Sequence, residues 1–512
     1  MSQQTYRANL NDNSFEFLSL SQGRTVILPK IDQATDNQTI ILQDSQQKDK
    51  GIPQAYYMHD VMPTKNGFQS VGYTQQIAAS AGFTDMSDVF TLKDQVDNNF
   101  IFSPARGKHY VYDKNVGTWQ SRSPIAANDK LYTVAYLEGH SYMFIAGVGC
   151  YEYDQATTAW IVVTLTGLVA ANIKGICSSN GFLLAWDDFT VYRGQAVATT
   201  NFTPDFALGS GAAIPEGTRA KIMECVSIPG GFIIYTTRNA VGATFQQNIL
   251  YPFNYVEISG SAGVNAAKHV AWLDNLGEHY AWTIGGLQKV TLLKAEYIFP
   301  DLTDFLTSKV IENYEYSGTF YTLTSLANPV ILRLAILGAR YLVISYGATE
   351  YTHAFVYDMV LKRWGKLRHT HVAVFEFIPP NLVGATSVSD PKTTFGLLEK
   401  SGKVVTVNFV IDADNAAGLL ILGKYQLDRD RMLQLDEVQV ENAVGAGAYV
   451  MKVATSLKGK VVDYVQAPYV NYTDTFISSF MMDYVGINHS LMFSGTFNFS
   501  SLLLKFHDHG RM

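Results

Sequence analysis

The sequence predicts an all-β protein whose largest part is a β-propeller of about six blades. Three observations predict this fold: a hairpin motif that recurs along the chain, a spacing between copies that matches one propeller blade, and a high content of aromatic residues. Aromatic residues make up 13% of the chain, including 30 tyrosines and 29 phenylalanines. Because large aromatic side chains favour strands over helices, the composition agrees with the repeat.

The repeated motif is an aromatic residue, any residue, Tyr and Asp, followed after five further residues by Trp. Aromatic side chains at positions i and i+2 point to the same face of a strand. The Asp favours a turn, and the Trp then begins the returning strand. Three complete copies have their Tyr, Asp and Trp at Tyr112, Asp113 and Trp119, at Tyr153, Asp154 and Trp160, and at Tyr357, Asp358 and Trp364. The motif therefore predicts repeated aromatic hairpins.

Incomplete copies keep the strand–turn–strand pattern but lack the Trp. They begin at Gly181, Gly231, His279 and Phe395. In the first copies Tyr112, Tyr153 and Tyr192 occupy equivalent positions and are 41 and 39 residues apart. A four-stranded propeller blade typically spans about 40 to 50 residues. Longer intervals later in the chain indicate insertions, and the copies predict six or seven blades.

The two ends of the chain differ in character from the repeats. Residues 1–60 are polar and rich in Gln, Asn and Asp, so we expect an extended N-terminal arm that includes the first strands. Residues 61–415 contain the propeller. Residues 416–512 hold short runs of alternating polar and apolar residues, such as 435–441, which predict a separate C-terminal β-sandwich.

One helix is predicted as an insertion in the propeller, near residues 301–313. Asp301 would cap its N-terminus. The apolar residues at helical spacing are Leu302, Phe305, Leu306, Val310 and Ile311. Because they form one stripe, we expect this helix to pack between blades.

Composition limits the possible functions. Charged residues are 16% of the chain, below the roughly 25% typical of soluble domains, which suggests that neighbouring molecules cover much of the surface. The net charge of −7 and the lack of dense Lys/Arg clusters argue against tight binding to nucleic acid. Cys150, Cys177 and Cys225 lie far apart, so we expect neither a disulfide framework nor a zinc site.

We expect a soluble protein made in a cytoplasm. The first residues lack the basic and apolar segments of a signal peptide. The longest apolar runs, such as residues 330–337, are shorter than the ~20 residues that a membrane span requires.

The sequence contains no nucleotide-binding, nucleophile-elbow or metalloprotease motif, so we predict no catalytic residue and no cofactor. Two His-x-His pairs are weak candidates for metal binding: His369 with His371, and His507 with His509. Because no set of Cys or Glu ligands accompanies them, surface or partner-facing histidines are the preferred interpretation. In a trimer or hexamer, His507 and His509 could form a ring around an axis.

The hairpin motif resembles the kelch repeat, in which a Gly-Gly doublet precedes the same Tyr and Trp spacing. Here the doublets at residues 230–231 and 285–286 occur in copies without the Trp. The resemblance supports the architecture, and no enzymatic activity follows from it.

The order of features along most of the chain is similar to that of the tail hub, or nozzle, protein of short-tailed bacteriophages, also called packaged-DNA stabilisation protein. These features are Gly-Ile-Pro at 51–53, Gly-Phe at 67–68, Asn-Phe-Thr-Pro-Asp-Phe at 201–206, the segments 230–245 and 252–263, a Trp-containing strand at 280–290, the helix near 301–313, the hairpin at 357–364, and Arg431 followed by Val-Gln-Val-Glu at 438–441.

The resemblance implies a structural virion protein that is assembled in the host cytoplasm and located in the tail. It implies a homo-hexameric ring below the portal and its adaptor, the head-to-tail connector protein. The ring would continue the DNA exit channel, retain packaged DNA, and bind a tail needle or plug and tailspikes or fibres. Double-stranded DNA would pass through it without sequence-specific binding.

Three other functions fit the same sequence. One is a propeller-type receptor-binding or fibre-attachment protein of a virion, and another is a kelch-like cytoplasmic adaptor, which would be a soluble monomer with peptide partners. The remaining one is a carbohydrate-active propeller enzyme, which would need paired carboxylates near the axis. Asp187 with Asp188, and Asp428 with Asp430, are the nearest candidates for such a pair.

Overall fold

The repeated hairpins form the blades of a β-propeller, as the sequence predicts. The computed structural model describes residues 3–9, 39–41, 55–64, 67–79, 85–93, 95, 99–105, 108–113, 118–122, 131–215, 220–273, 276–299, 302–303, 306, 312–316, 319–323, 331–347, 350–377, 394–408, 418–422, 424–426, 431–442, 449–457, 460–461, 465–466, 469–471, 477–486 and 488–511. Most of these residues are in antiparallel strands.

Blades 1 to 6 each consist of four antiparallel strands that follow one another in chain order. Blade 1 contains Phe90–Lys93, Asn99–Ala105, Lys108–Asp113 and Thr118–Ser121; blade 2 contains Tyr132–Leu137, His140–Ile145, Gly149–Asp154 and Ala159–Val163; blade 3 contains Gly175–Ser179, Phe182–Trp186, Val191–Arg193 and Gly211–Ala213; blade 4 contains Ile222–Ile228, Gly231–Thr236, Ala240–Phe245 and Phe253–Glu257; blade 5 contains Val270–Ala271, His279–Thr283, Gly286–Val290 and Ala295–Tyr297; blade 6 contains Arg333–Leu337, Tyr341–Tyr346, His353–Asp358 and Arg363–Leu367.

Blade 7 is completed by a strand from the other end of the propeller sequence. Its first three strands are Ala373–Phe377, Thr394–Leu398 and Val404–Asn408, and its fourth is Gly72–Ile77. Gly72–Ile77 pairs antiparallel with Val404–Asn408. The described residues therefore form seven blades, at the upper end of the predicted six or seven. The last blade is not one contiguous repeat in the sequence.

Apolar clusters join every blade to the next around the circle. Seven clusters of buried residues lie between blades 1 and 2, 2 and 3, and so on, and the last lies between blades 7 and 1. At this last junction Trp119 packs with Phe375 and Phe377. The Trp119 indole N–H also donates to the Gly402 carbonyl at 2.7 Å. The circle is therefore closed by both apolar packing and a buried hydrogen bond.

The Tyr and Trp of each complete motif are direct partners on the third and fourth strands of a blade. Tyr153 pairs with Trp160, and Tyr357 pairs with Trp364. The centres of the two rings are 5.4 Å apart in the first pair and 4.9 Å in the second. Tyr112 and Trp119 pair in the same way, with 5.8 Å between ring centres. The spacing is retained because it places two large aromatic side chains on one sheet face.

The Asp of the motif stabilises the turn between the paired strands. Asp358 accepts hydrogen bonds from the backbone N–H groups of Val360 (3.0 Å) and Leu361 (2.9 Å). Asp154 accepts hydrogen bonds from the Ala156 and Thr157 N–H groups, both at 3.2 Å. A short carboxylate side chain can satisfy turn N–H groups that have no strand partner.

The turns between first and second strands explain the glycines that precede the apolar strands. Glu138 and Gly139 have φ values of 53° and 85°, and Asn180 and Gly181 have values of 49° and 82°. Two consecutive positive φ values are typical of the tight turns that match the twist of a hairpin, and glycine adopts them without strain.

The C-terminal residues form a β-sandwich, as predicted, and N-terminal strands take part in it. One sheet continues from blade 6 through Val61–Thr64, Gly67–Ser70, Asn498–Arg511, Arg431–Asn442, Ile477–Gly486 and Tyr469–Asn471, with Gln3–Asn9 also paired to Asn498–Arg511. The other contains Thr39–Ile41, Lys424–Gln426, Asn488–Gly495, Gly418–Leu422, Ala55–His59, Tyr449–Leu457, Lys460–Val461 and Val465–Gln466. Leu435, Val438 and Phe480 of the first sheet share a core with Met451 and Phe493 of the second.

The pairing of the N-terminal strands changes the expected division of the chain. The described strands within residues 1–60 pair with C-terminal strands, so they belong to the sandwich. Val61–Thr64 and Gly67–Ser70, which the sequence analysis assigned to the propeller, connect blade 6 to the sandwich. These pairings join residues that are far apart in the chain, and no local pattern indicates them.

The helix predicted near residues 301–313 is shorter than expected. Leu302, Thr303 and Leu306 are helical, but Glu312–Tyr316 is a strand paired with Thr319–Leu323. This hairpin is rich in aromatic residues and threonine, which favour strands. Leu302 and Leu306 are buried in the core beside blades 5 and 6, which agrees with a packing role. Asp301, Phe305, Val310 and Ile311 lie outside the described residues.

Other helical segments are short. The 3-10 turns are Ala170–Asn172, Phe206–Leu208 and Ala267–His269. Within the described ranges, no helix combines the length and apolarity needed to cross a lipid bilayer.

The buried Asp358 provides a test of the hairpin motif. The Asp358 side chain is 0% exposed and also pairs with Arg340 at 2.8 Å, whereas Asp154 caps an equivalent turn in solvent. We expect Asp358→Ala to lower the free energy of unfolding by about 2–4 kcal/mol, because it removes a buried carboxylate that accepts from two turn N–H groups and pairs with Arg340. Asp154→Ala, the matched control, should cost much less, because the hydrogen bonds that Asp154 accepts are exposed to water. Thermal denaturation of both variants tests this, and equal losses would contradict it.

Candidate functional site

A cavity lies where the first strands of blades 1 to 6 converge on the propeller axis. Its volume is about 130 Å³. Its polar lining includes Asp88, Thr133, Glu224, Lys268 and Arg333. First strands of neighbouring blades pack side by side here, as in the pairs of blades 2 and 3 and of blades 3 and 4. Charged groups from four different parts of the chain are therefore brought together inside an otherwise apolar ring.

Asp88 and two cations form one wall of the cavity. The Arg333 guanidinium donates to the Asp88 carboxylate at 2.5 Å and to the Val372 carbonyl at 3.4 Å. The Lys268 ammonium is 4.0 Å from the same carboxylate and 3.4 Å from the Ser87 carbonyl oxygen. Burial alone would raise the pKa of Asp88, but Arg333 and Lys268 outweigh it and hold the pKa below its usual value. Two cations thus face one carboxylate.

Glu224 forms a second wall and has a different environment. It lies in the first strand of blade 4, beside a β-bulge: Ile222 pairs with Thr236 and Glu224 with Tyr235, so Met223 is the extra residue. A bulge changes the direction in which the following side chains point, and here Glu224 lines the cavity. Burial raises the pKa of Glu224 to about 8, opposed only by the Cys225 N–H. The carboxyl group is therefore mostly protonated at neutral pH.

The cysteines are buried thiols. Cys177 and Cys225 line the same cavity, whereas Cys150 is in the core between blades 2 and 3. None of the three forms a disulfide, and burial raises the pKa of Cys150 to about 12. Thiols held in the protonated form are poor nucleophiles and poor metal ligands.

The two His-x-His pairs differ in how much the structure describes. The ring of the buried His371 contacts the His369 carbonyl and the Ser345 hydroxyl, both at 2.7 Å, through its two nitrogens. His369 contacts Glu399 at 3.2 Å and stacks on Tyr73. The backbone of His507 and His509 is in the strand Asn498–Arg511, but their side chains lie outside the described residues. Among described side chains, no group of three or more His, Cys, Asp or Glu could hold a metal ion.

Of the two carboxylate pairs suggested for glycan cleavage, the one that the structure describes, Asp187 with Asp188, does not line the axial cavity. Asp187 is in the turn between the second and third strands of blade 3 and accepts hydrogen bonds from Phe189, Thr190 and Tyr192. Asp188 forms an ion pair with Lys221 at 3.2 Å. Asp428 and Asp430 lie outside the described residues.

A patch of exposed apolar side chains covers one end of blades 3 to 5. We call it the lower patch, and it is carried by the turns between third and fourth strands. It contains Val197, Phe206, Ile249, Leu250, Tyr251 and Leu293. The turns of blades 3 and 4 touch, since Ile249 is 3.3 Å from the position of a Cβ on Gly209. Asn248 fixes the blade 4 turn by accepting from the Leu250 N–H, so its apolar residues are held outward.

The opposite end of the propeller carries a second apolar surface, which we call the upper patch. It is formed by turns between second and third strands and by connections between blades. It contains Leu131, Val148, Val169, Phe189, Ile214 and Ile284. Side-chain exposure in the two patches reaches 82% at Leu293 and 69% at Ile284. Grouped apolar side chains at this exposure are typical of surfaces that contact other molecules.

Comparison with known proteins does not identify a family for this chain. No family model matches the sequence, and no curated protein matches it. The similar solved structures include the WD40 β-propeller domain of Doa1, with 10% identity and a TM-score of 0.38 over 66% of this chain and 98% of that chain. A chain of a mitotic checkpoint complex shows 8% identity and a TM-score of 0.35, over 65% of this chain and 93% of that chain.

A third similar structure is the extracellular domain of a hybrid two-component system of B. thetaiotaomicron. It has 13% identity and a TM-score of 0.39, over 67% of this chain and 40% of that chain. Similarity at these levels concerns the fold alone and carries no information about function.

The pKa of Glu224 predicts that this group's contribution to stability decreases as pH rises from about 4.5 to about 8. Because the folded pKa, about 8, is above the ordinary value of 4.5, the folded protein binds more protons between these values. The free energy of unfolding therefore falls as pH rises through this window, by up to about 4 kcal/mol. Glu224→Gln should remove this loss and be more stable than wild type at pH 8. Thermal melts at several pH values test it, with the exposed Glu296→Gln as control.

Buried histidines predict the opposite slope in acid. Burial lowers the pKa of His279 and His371 to about 4 and that of His353 to about 3. The folded protein binds fewer protons than the unfolded chain below pH 6.5, so stability falls as pH decreases, by up to about 3 kcal/mol for His279 or His371 and about 5 kcal/mol for His353. His279→Gln should flatten this acid slope. The control is His140→Gln, whose side chain is 45% exposed. An unchanged slope in His279→Gln would contradict the assignment.

Proposed function

We propose that this chain is a structural protein of a virion tail and forms the nozzle or hub ring of a short-tailed bacteriophage. Six copies would continue the DNA exit channel below the portal and adaptor, retain packaged DNA, and anchor a needle or plug and tailspikes or fibres. The observation that carries the proposal is the presence of exposed apolar patches at both ends of one propeller.

A subunit in the middle of an assembly needs contacts on more than one side. The lower and upper patches offer apolar contact area at opposite ends, and the charged fraction of 16% leaves few charges to keep the remaining surface in water. Heterologous, head-to-tail contacts close into a ring when the rotation between copies permits it. A protein that works alone gains nothing from two such surfaces, because exposed apolar groups favour aggregation.

The charge of the chain suits a channel through which DNA slides. The net charge is −7, so the chain as a whole does not attract phosphate groups. Tight DNA binding depends on Lys and Arg that replace counterions along the backbone. A ring with few free cations would let the duplex pass without being held.

A role without catalysis is part of the proposal. Glycan-cleaving propellers need paired carboxyl groups that are free to act near the axis. Asp187 is used in a turn and Asp188 in an ion pair, and the axial Asp88 is held between two cations. These carboxyl groups have structural partners, which favours a scaffold over an enzyme.

The test is assembly of the purified chain with the adaptor from the same virus, observed by negative-stain microscopy and light scattering. We expect sixfold rings that cap the adaptor, and disruption of the lower patch by Leu250→Glu with Tyr251→Glu should reduce assembly about tenfold or more. Val360→Glu is the matched control, since Val360 is 68% exposed on the equivalent turn of blade 6.

The variants should melt at the same temperature as wild type, because the substituted side chains are exposed. A chain that stays monomeric with its adaptor would contradict the proposal. Location at the tip of a fibre in the virion would favour the receptor-binding alternative.

A further inference from the structure

The axial cavity contains polar groups that the scaffold role does not use. Its volume of about 130 Å³ is several times the roughly 30 Å³ that one molecule occupies in liquid water, so a small organic molecule fits there. Leu131 and Lys268 at its rim are 41% and 34% exposed, so the cavity can be reached from the upper end of the propeller. Macromolecular chains are too large for this space.

The cationic wall has capacity for one more anionic group. Arg333 is occupied by Asp88 and the Val372 carbonyl. Among the residues that the structure describes, the polar contacts of Lys268 are long, 4.0 Å to Asp88 and 3.4 Å to Ser87. Since a single carboxylate faces two cations, the wall retains a positive charge, and the ammonium of Lys268 can donate to an incoming anion.

The acidic wall lacks a cation. Among the described residues, none with a positive charge forms an ion pair with Glu224 or affects its ionisation, and its carboxyl group receives only the Cys225 N–H. The ionised form is disfavoured by burial, and a cation placed beside it would offset that cost. The bulge at Met223 directs this side chain into the cavity instead of into the apolar clusters on either side.

We propose that the axial cavity binds a small zwitterion, with its anionic group against Lys268 and its ammonium group against Glu224. A simple anion would leave Glu224 without a partner, and a simple cation would be repelled by Lys268 and Arg333. A molecule of the amino-acid class carries both charges and no net charge. The proposal is independent of the tail role, and it is tested on the isolated chain.

Isothermal titration calorimetry with glycine, β-alanine and γ-aminobutyrate tests the proposal, because their charges are separated by increasing distances. We expect one of the three to bind at least about tenfold more tightly than acetate or methylammonium, which carry one charge each. Binding should release protons, since a cation beside Glu224 favours its ionised form. The release is measured by titrating in buffers of different ionisation enthalpy, and affinity should increase from pH 6.5 to 8.

Variants of Glu224 and Lys268 distinguish the contributions of the two walls to binding. Glu224→Gln should weaken binding about tenfold or more and abolish the proton release, and Lys268→Met should weaken binding without abolishing that release. Lys268→Arg keeps the charge and provides a folded comparison if Lys268→Met is unstable. Glu296→Gln, on the outer strand of blade 5, should bind as wild type does. No binding by any of the three compounds, equal binding by acetate, or unchanged binding in Glu224→Gln would overturn the proposal.

Discussion

Apolar contact between neighbouring blades is the interaction on which the rest of the structure depends. A four-stranded blade has apolar side chains on both faces, so it is sheltered only between two neighbours, and an open row would expose a face at each end. Closing the circle removes both exposed faces. Closure depends on Gly72–Ile77, which pairs with Val404–Asn408, and on Trp119, which packs across the junction of blades 7 and 1. The positions of the axial cavity and of both patches follow from this closure.

The parts of the fold that the sequence predicts are those with local causes. The pairing of Tyr153 with Trp160 depends on residues seven positions apart and on the turn at Asp154, so a short motif is sufficient to identify the hairpin. The seventh blade and the N-terminal strands were harder to predict because their partners are hundreds of residues away. Pairing of Gln3–Asn9 with Asn498–Arg511 depends on tertiary packing, and a polar segment gives no sign of it.

The axial cavity was not predicted, for a related reason. Motif searches find residues at fixed spacing, but Asp88, Glu224, Lys268 and Arg333 come from four separate connections and strands that meet only after the ring closes. A sequence signal did exist: Glu224 and Arg333 are single charged residues at or within strongly apolar inner strands. Such residues require a partner or a protonation change, so charged residues in inner strands are informative even without a motif.

Closure also separates the two kinds of surface that the molecule presents. The apolar side chains between blades hold the ring together, whereas polar side chains on and beside the first strands line the axis. Apart from Leu131, which also lines the axial cavity, the apolar side chains of the two patches belong neither to the clusters between blades nor to the cavity. Exposing these apolar side chains to water is unfavourable, and it does not stabilise the monomer. The contacts with other subunits that we propose would explain it.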